Sequence, residues 1–444
     1  MRTRVMYSQK IVQHSGIFAE TVRAYRDAVS FFMSVCLEEW DVISQETHPQ
    51  RRMNALEKMT HPTSKRPEVP HCFDSSDRRF YKFPSYLRRA ACMEALGKVS
   101  SYQSNLANWE KTGEGKRPGL PKAGYVYPCL YHENMYEEGE GYTARIKVYT
   151  RNTWDWITVK LRKSDVDYAA RHCGGMKQSS PTLQKRGRSW YLDLMYESDT
   201  ELTTIPIREQ IVMAVDLGIN SACTCSCLLS DGTVAGRRFL RLPAEEDCLK
   251  RAVNRIKKAQ QHGAKKTPRL WAVANGINED IAVKTAAFIM TCAEAYGADV
   301  IVFEHLDMSG KKRGSKKQRL HLWKASYVQA MTESKAHRKG LRVSRVCAWG
   351  TSRLAYDGSG RVRRGKESEK CGDNYSLCEF ETGKVYNCDL NASYNIGARY
   401  FIREIIKSLP ERERLAAEAK DPQLARRSTC TLSTLIRLNA EPAA

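Results

Sequence analysis

Apolar residues recur at helical spacing through most of the first 110 positions, in two separate stripes. Their spacing of three or four residues predicts two long amphipathic helices. The second helix is entered through Phe83-Pro84, with Ser85 as a candidate N-cap. Residues 113–119, with sequence GEGKRPG, break the period and indicate a linker, so residues 15–118 are predicted to be a helical domain. The stripes consist of Phe18, Val22, Tyr25, Val29 and Phe32, and of Leu87, Ala91, Ala95, Val99, Tyr102 and Leu106.

Between about residues 125 and 197 the polarity alternates with a period of two. Segments 144–149 and 156–161 follow this pattern and predict strands. Segment 181–194 alternates on both sides of Gly187, which predicts a hairpin with that glycine in the turn. Residues 119–205 are therefore predicted to form a β-rich module, a small barrel.

Beyond Pro206 short apolar runs and helical stripes are mixed, which indicates an α/β domain. Runs that predict buried strands occupy 211–215, 223–229, 299–303 and 341–346. Helices are predicted around 249–258, 278–296 and 390–405, and the tail after about Pro410 is weakly patterned.

Three acidic residues stand at the ends of these buried elements. Asp216 ends the first run, Glu304 ends the third, and Asp389 opens the last helix. Singly they have ordinary interpretations: a turn residue, a surface residue and a helix N-cap. Together, with a hairpin after the first acid and a helix and strand before the second, they follow the order of an RNase H-like nuclease core. Such a cluster of carboxylates suits two Mg²⁺ ions in phosphodiester cleavage.

The charge of the chain favours a polyanionic partner. The 444 residues contain 72 Lys+Arg against 50 Asp+Glu, a formal net charge of +22. Nucleic acid is the favoured partner, an anionic membrane surface is a lesser option, and a merely soluble basic surface is the plain alternative. Hydrophobic content of 42% argues against global disorder. We also expect a cytosolic protein, because the sequence shows neither a signal peptide nor an apolar membrane span.

Candidate nucleic-acid contacts are the cations clustered on predicted helices and in one basic run. Residues 311–319 hold six cations and no acid, which fits either a solvated loop or a lid that grips phosphates. The candidates are Arg88, Arg89, Lys98, Lys250, Arg251, Arg255, Lys257, Lys258, Lys311, Lys312, Arg313, Lys316, Lys317 and Arg319.

Three segments resemble the RuvC motifs of the TnpB family, the RNA-guided nucleases of insertion sequences that are related to compact type V CRISPR effectors. They are AVDLGIN at 214–220, VFEHL at 302–306 and CDLNASYNI at 388–396. GTSR at 350–353 resembles the element before that family's zinc ribbon. FPSYLRR at 83–89 and the segment 181–194 resemble its recognition lobe and its wedge barrel.

The resemblance implies a multidomain α/β protein with a RuvC (RNase H-like) nuclease core. Its parts would be a first wedge strand at 1–14, a helical recognition lobe at 15–118, a β-barrel wedge domain at 119–205, RuvC segments I and II at 206–349, a ribbon-position insertion at 350–386 and RuvC segment III with the tail at 387–444. It implies an RNA-guided endonuclease that cuts double-stranded DNA beside a short adjacent motif. Asp216, Glu304 and Asp389 would hold two Mg²⁺ ions, and a structured guide RNA would be bound.

The chain departs from the family at the zinc ribbon. The four ligand candidates, Cys347, Cys371, Cys378 and Cys388, contain no Cys-x-x-Cys pair, so bound zinc is not expected and a metal-free hairpin is favoured. Cys223, Cys225 and Cys227 share one face of a strand, where inward packing is favoured over metal binding.

Three further residues are candidates for supporting the active site. Arg353 is a candidate contact to the scissile phosphate through its place in the motif. Asn391 and Asn395 either orient Asp389 or are ordinary polar residues of the helix. Two other functions remain open: a guided DNA-binding repressor without cleavage, and an RNase H-like transposase. The oligomeric state is open as well.

Overall fold

The computed structural model describes residues 1–13, 16–218, 222–306 and 324–440. The chain divides into two compact units: an N-terminal unit, Arg4–Ser198, and a C-terminal unit, Asp199–Ala444 with Met1–Thr3. The helices are α1 (Ile17–Glu38), α2 (Trp40–Ile43), α3 (Pro49–Thr60), α4 (Phe73–Ser76), α5 (Ser85–Thr112), α6 (Lys163–Cys173), α7 (Pro243–Gln261), α8 (Pro268–Ala295), α9 (Ala325–Arg338), α10 (Cys388–Ser408), α11 (Glu411–Lys420), α12 (Pro422–Arg426) and α13 (Leu432–Ala440). The strands are β1 (Arg2–Ile11), β2 (Tyr136–Glu138), β3 (Thr143–Thr150), β4 (Thr153–Lys160), β5 (Lys177–Gln178), β6 (Thr182–Arg186), β7 (Ser189–Asp199), β8 (Val212–Asp216), β9 (Cys223–Leu228), β10 (Val234–Leu240), β11 (Val300–His305), β12 (Arg342–Cys347), β13 (Leu377–Glu379) and β14 (Val385–Asn387).

The two predicted helical stripes of the N-terminal unit are α1 and α5, and they pack in the same hydrophobic core as the strands. All five residues of the first stripe are buried, as are Leu87, Ala91, Ala95 and Val99 of the second. The linker prediction fits the end of α5, where Gly113 takes a left-handed conformation with φ +65°. Ser85 as N-cap is wrong, because Pro84 occupies that position and Ser85 is the first helical residue.

The strands of this unit form a four-stranded sheet and a three-stranded sheet. A bridge between Ile11 and Leu161 links the four-stranded sheet to the chain just after β4 of the three-stranded sheet, and a bridge between Cys129 and Thr182 adds to the four-stranded sheet at β6. The β3–β4 hairpin turns through Arg151 and Asn152, both at positive φ, which suits a two-residue hairpin loop. The predicted hairpin at Gly187 is β6–β7. Trp190 is buried against Phe18 rather than available for stacking on a base.

A five-stranded sheet with order β10-β9-β8-β11-β12 organises the C-terminal unit. Strands β8, β9 and β10 are antiparallel neighbours, whereas β8, β11 and β12 run parallel. Residues of α8 pack on one face and residues of α10 on the other, so the central strands are buried on both sides. Helix α10 approaches closely at Gly397, where a Cβ atom would lie 2.9 Å from Leu228 and 3.2 Å from Ala214.

Strand β9 has small side chains on both faces, and both faces are buried. Cys223, Cys225 and Cys227 are buried in the cluster that contains residues of α8, as the alternation predicts. The opposite face is buried too, and the Ser226 and Ser393 hydroxyl oxygens lie 2.6 Å apart. The period-two alternation in β9 therefore distinguishes two buried faces of the sheet. It does not distinguish a buried face from a solvent-exposed one.

The segment between β12 and α10 is a compact insertion with its own small core. Ala355, Val362, Cys378, Phe380 and Cys388 are buried together in it, beside the β13–β14 hairpin. The tail, weakly patterned in sequence, forms α11, α12 and α13, and α13 packs on α10 through residues that include Leu432 and Leu435. None of the helices in the described ranges is both long and apolar enough to cross a membrane.

Candidate active site

Parallel strands β8 and β11 bring two of the predicted acids to the same edge of the sheet. Val215 is paired with Phe303, so Asp216 and Glu304 follow at matching positions in the two strands. The residues before them in both strands are buried, whereas the two acids are only partly buried. Each carboxylate therefore stands where a strand leaves the core and can meet a ligand from outside.

Helix α10 supplies the third acid from its first turn. The Asn387 side chain caps this helix by accepting hydrogen bonds from the backbone N–H groups of Asp389, at 3.0 Å, and Leu390, at 2.9 Å. The interpretation of Asp389 as the N-cap is therefore wrong. Because Asn387 fills that role, the Asp389 carboxylate is available to face Asp216.

The electrostatics show that the three carboxylates form one cluster. The pKa of Asp216 is raised well above its usual range, first by burial and then by the charges of Glu304 and Asp389. Burial also raises the pKa of Glu304 and of Asp389. Among the three, Asp216 is the carboxylate whose pKa is raised by the charges of both other acids.

The donor set fits hard cations. Carboxylate oxygens are the ligands that Mg²⁺ prefers, and the repulsion within the cluster is what a bound cation would relieve. In the described part of the chain, only Glu38, Glu39 and His71 bring ligand atoms all within 4.8 Å of one another. Asp216, Glu304 and Asp389 do not meet this distance criterion for one enclosed ion, so it is their chemistry as hard oxygen donors that fits a cation.

The loop after β12 supports Glu304 through Thr351. The buried Thr351 hydroxyl donates a hydrogen bond to the Glu304 carboxylate, which opposes the effect of burial on the pKa of that acid. The Asn395 side-chain amide donates at 2.9 Å to the carbonyl oxygens of Thr351 and Leu354. Asn391 holds the same loop by donating to the Leu354 carbonyl, at 2.9 Å, and accepting from the Tyr356 N–H, at 2.8 Å.

The two asparagines thus have a role that neither sequence interpretation included. In the described structure their side-chain hydrogen bonds go to the backbone of the loop and, for Asn395, to the N–H of Leu432 at 3.2 Å. They do not orient Asp389, and they are more than ordinary polar residues of a helix. Asn395 holds the loop at the carbonyl of Thr351 itself, whereas Asn391 holds it at Leu354 and Tyr356.

Thr351→Val is expected to slow the proposed cleavage roughly tenfold to a hundredfold, because a hydrogen bond to a charged group is worth about 1.5–3 kcal/mol. Valine keeps the volume and removes the donor, so Glu304 loses its orientation while the loop still packs. The measurement is the single-turnover rate on a matched DNA duplex, with Thr351→Ser as the control that retains the hydroxyl. A wild-type rate for the valine variant would contradict the assignment.

The cation facing the carboxylates is Arg364, which the sequence analysis did not select. Its charge counteracts the raised pKa of both Asp216 and Asp389, and Arg241 adds to this effect at Asp389. The Arg364 guanidinium donates to the Ser352 carbonyl at 2.5 Å, and its buried Nε has no hydrogen-bond partner among the described residues. The basic run at 361–364 was its only sequence signal. Arg353, the candidate from the motif, has an exposed side chain.

The four cysteines considered for zinc do not come together as one set. Cys347 is exposed at the end of β12, whereas Cys371, Cys378 and Cys388 are buried in the insertion. The thiols of Cys378 and Cys388 are hydrogen-bonded to each other, and this contact raises the pKa of Cys388 and lowers that of Cys378.

The predicted nucleic-acid contacts differ in how available they are. On α7 all five cations are exposed opposite the buried residues Ala252, Val253 and Ile256. On α5 the three candidates have acidic partners: Arg88 and Arg89 lie 4.0 and 3.7 Å from Glu57, and Lys98 lies 3.4 Å from Glu94. Lys311, Lys312, Arg313, Lys316, Lys317 and Arg319 lie outside the described residues.

Fold and site together define a mixed α/β protein in which two carboxylates at one edge of the central sheet are joined by a third from helix α10. A family model described as the Aq_aa04 family matches residues 3–150. The TnpB-like protein aq_aa05 of Aquifex aeolicus (strain VF5) is 27% identical over 241 residues, which cover 49% of this chain and 76% of that protein. The protein aq_aa04 of the same organism is 39% identical over 84 residues, 19% of this chain and 44% of that one. The match to the TnpB-like protein confirms the predicted resemblance.

Two solved structures of other proteins align with most of this chain, both at TM-scores below 0.5. The mini-RNA-guided endonuclease CRISPR-Cas_phi3 aligns with a TM-score of 0.47 and 10% identity, covering 89% of this chain and 92% of that one. Cas12f1 in its complex with sgRNA and target DNA aligns with a TM-score of 0.34 and 13% identity, covering 88% and 98%.

Proposed function

We propose that this protein is an RNA-guided, Mg²⁺-dependent endonuclease that cuts double-stranded DNA next to a short adjacent motif. The observation that carries the proposal is the convergence of Asp216 and Glu304, at matching ends of β8 and β11, with Asp389 from the first turn of α10; the charges of Glu304 and Asp389 both act on Asp216. The sheet order supports an RNase H-like (RuvC) core, since three antiparallel strands are followed by two parallel ones.

Each residue of the site has a defined task in this reaction. Asp216, Glu304 and Asp389 would hold the Mg²⁺ ions. The bound ions supply an activated water and stabilise the leaving oxygen. Thr351 orients Glu304, while Arg364 is placed to bind a phosphate oxygen of the strand beside Asp216 and Asp389.

Two observations support a guide RNA and a target duplex as partners: the positive charge of the chain and its similarity to a TnpB-like protein. The excess of 22 positive charges and the exposed basic face of α7 suit phosphate backbones, and the relative with 27% identity is named a TnpB-like protein. The N-terminal unit would then correspond to the recognition lobe and wedge, residues 350–386 to the insertion at the ribbon position, and base pairing would supply sequence specificity.

The test is to purify the protein with its bound RNA, sequence that RNA, and offer a DNA duplex that matches its guide segment. We expect Mg²⁺-dependent cuts in the matched duplex and none in a duplex with a scrambled target. Binding without cutting would support the guided repressor instead, and DNA strand transfer independent of RNA would support the transposase. Processed repeats in the RNA would indicate a CRISPR guide, and a long RNA from beside the gene would indicate a transposon guide.

A further inference from the structure

An exposed tryptophan stands in the loop that supports Glu304. The Trp349 side chain is 64% exposed, although tryptophan is a large apolar residue that folding tends to bury. It lies two positions before Thr351, whose hydroxyl is bonded to Glu304. Among the described residues its ring has no aromatic neighbour and no cation stacked on it.

The backbone at Trp349 is held by hydrogen bonds from a buried arginine. The buried Arg399 guanidinium donates to the carbonyl oxygens of Cys347, at 2.9 Å, and Trp349, at 2.7 Å. Arg399 also donates to the Cys430 carbonyl at 3.0 Å, and its charge acts on Glu304. These hydrogen bonds fix the backbone from which the indole extends, so the side chain leaves the loop at a defined point.

The surroundings of Trp349 match a single-stranded nucleic acid better than a protein partner. Arg353, four residues later, is also exposed, and within the described structure its side chain has no ion-pair partner. Base stacking on an aromatic ring beside a backbone-binding cation is the usual arrangement for gripping unpaired nucleotides. The indole is one isolated ring and not an extended apolar patch of the kind that protein partners cover.

We propose that Trp349 stacks on an unpaired base next to the scissile phosphate, while Arg353 binds the backbone of the same strand. This inference rests on the proposed nuclease function and specifies its substrate as a locally single-stranded DNA segment. Trp349 is thus a positioning residue: its ring touches a base that does not react, and the rigid loop fixes that base relative to Glu304.

The experiment uses the RNA-bound complex and matched duplexes with 2-aminopurine at successive positions across the mapped cut site. In the uncleaving Asp216→Asn protein we expect fluorescence quenching at one or two positions next to the cut. Adding Trp349→Ala should abolish that quenching, whereas adding Trp349→Phe should preserve it. In the cleaving protein, Trp349→Ala should lower the single-turnover rate roughly 5- to 100-fold at an unchanged melting temperature, with rescue by phenylalanine.

Tyr125→Ala is the matched control, because this aromatic side chain of the N-terminal unit is 93% exposed. It should change neither the quenching nor the rate. Two results together would overturn the stacking role and leave the nuclease function standing. They are quenching in the Asp216→Asn protein that Trp349→Ala does not change, and a wild-type cleavage rate for Trp349→Ala in the cleaving protein. No cut by the wild-type complex would overturn the proposed function and this inference with it.

Discussion

We expect Asp216→Asn to abolish cleavage of the matched duplex, with a loss of at least about a thousandfold. The physical reason is that both Glu304 and Asp389 act on this carboxylate, so in the proposed site its loss would remove the acid most closely coupled to the other two. A thousandfold loss corresponds to about 4 kcal/mol, within what metal ions contribute to stabilising charge in a transition state. The measurement is single-turnover cleavage in Mg²⁺, with RNA and DNA binding followed by gel shift.

The same substitution should stabilise the metal-free protein, which separates loss of function from loss of folding. Burial and two like charges raise the pKa of Asp216 in the folded state, so wild-type stability falls as the pH rises through and above the unfolded-state value. Asparagine removes that penalty. We expect a melting temperature in EDTA at neutral pH about 2–4 °C higher than wild type, a difference that shrinks as the pH approaches 4.

The control for this prediction is Asp373→Asn, which alters an exposed acid of the insertion. Asp373→Asn should leave the cleavage rate, the binding of RNA and DNA, and the melting temperature in EDTA as they are in the wild type. Cleavage by the Asp216→Asn protein at more than a few per cent of the wild-type rate would disprove the assignment of the site. A lower melting temperature in EDTA would show that Asp216 serves the fold and not a cation.

Arg364→Ala should reduce the cleavage rate roughly a hundredfold to a thousandfold, the cost of removing one preorganised electrostatic group from an active site. The guanidinium is the cation that acts on both Asp216 and Asp389. Its removal raises the pKa of both acids further. The rate should therefore fall off on the acid side at a higher pH than in the wild type, and the pH–rate profile is the decisive measurement.

Arg363→Ala provides the matched comparison, because the neighbouring arginine points to Glu379, at 3.5 Å, and is half exposed. It should cut at nearly the wild-type rate with an unshifted profile. Arg364→Lys keeps the charge and tests whether the bond to the Ser352 carbonyl matters as well. Superimposable profiles for Arg364→Ala and wild type would rule out any electrostatic role at the carboxylates.

Several elements of the fold followed directly from local patterns. The stripes beginning at Phe18 and Leu87 predicted α1 and α5, and Gly187 predicted the β6–β7 turn. The short apolar runs ending in Asp216 and Glu304 predicted β8 and β11. These succeeded because the period of burial along a helix or strand is a property of the local chain.

Other features needed the tertiary structure because they depend on residues distant in sequence. Nothing around Arg364 marked it as the cation that faces Asp216, and Arg353 stood closer to a known motif. Asn391 and Asn395 looked like helix residues beside Asp389, yet they bind a loop about forty positions earlier. The helical tail was also missed, because α13 is only nine residues long and a helix this short depends on packing, here against α10.

The sequence by itself predicted the set of three acids and the order of strands and helices around them, and it fixes the excess of positive charge. It did so because buried strands and acidic strand ends leave local signatures. Only the tertiary structure decided which groups surround those acids: Arg364 facing them, Asn387 as the cap, Thr351 on Glu304, and Trp349 exposed on a loop held by Arg399. The reason is that hydrogen bonds and electrostatic fields depend on distance in space, and packing brings together residues that no sequence period connects.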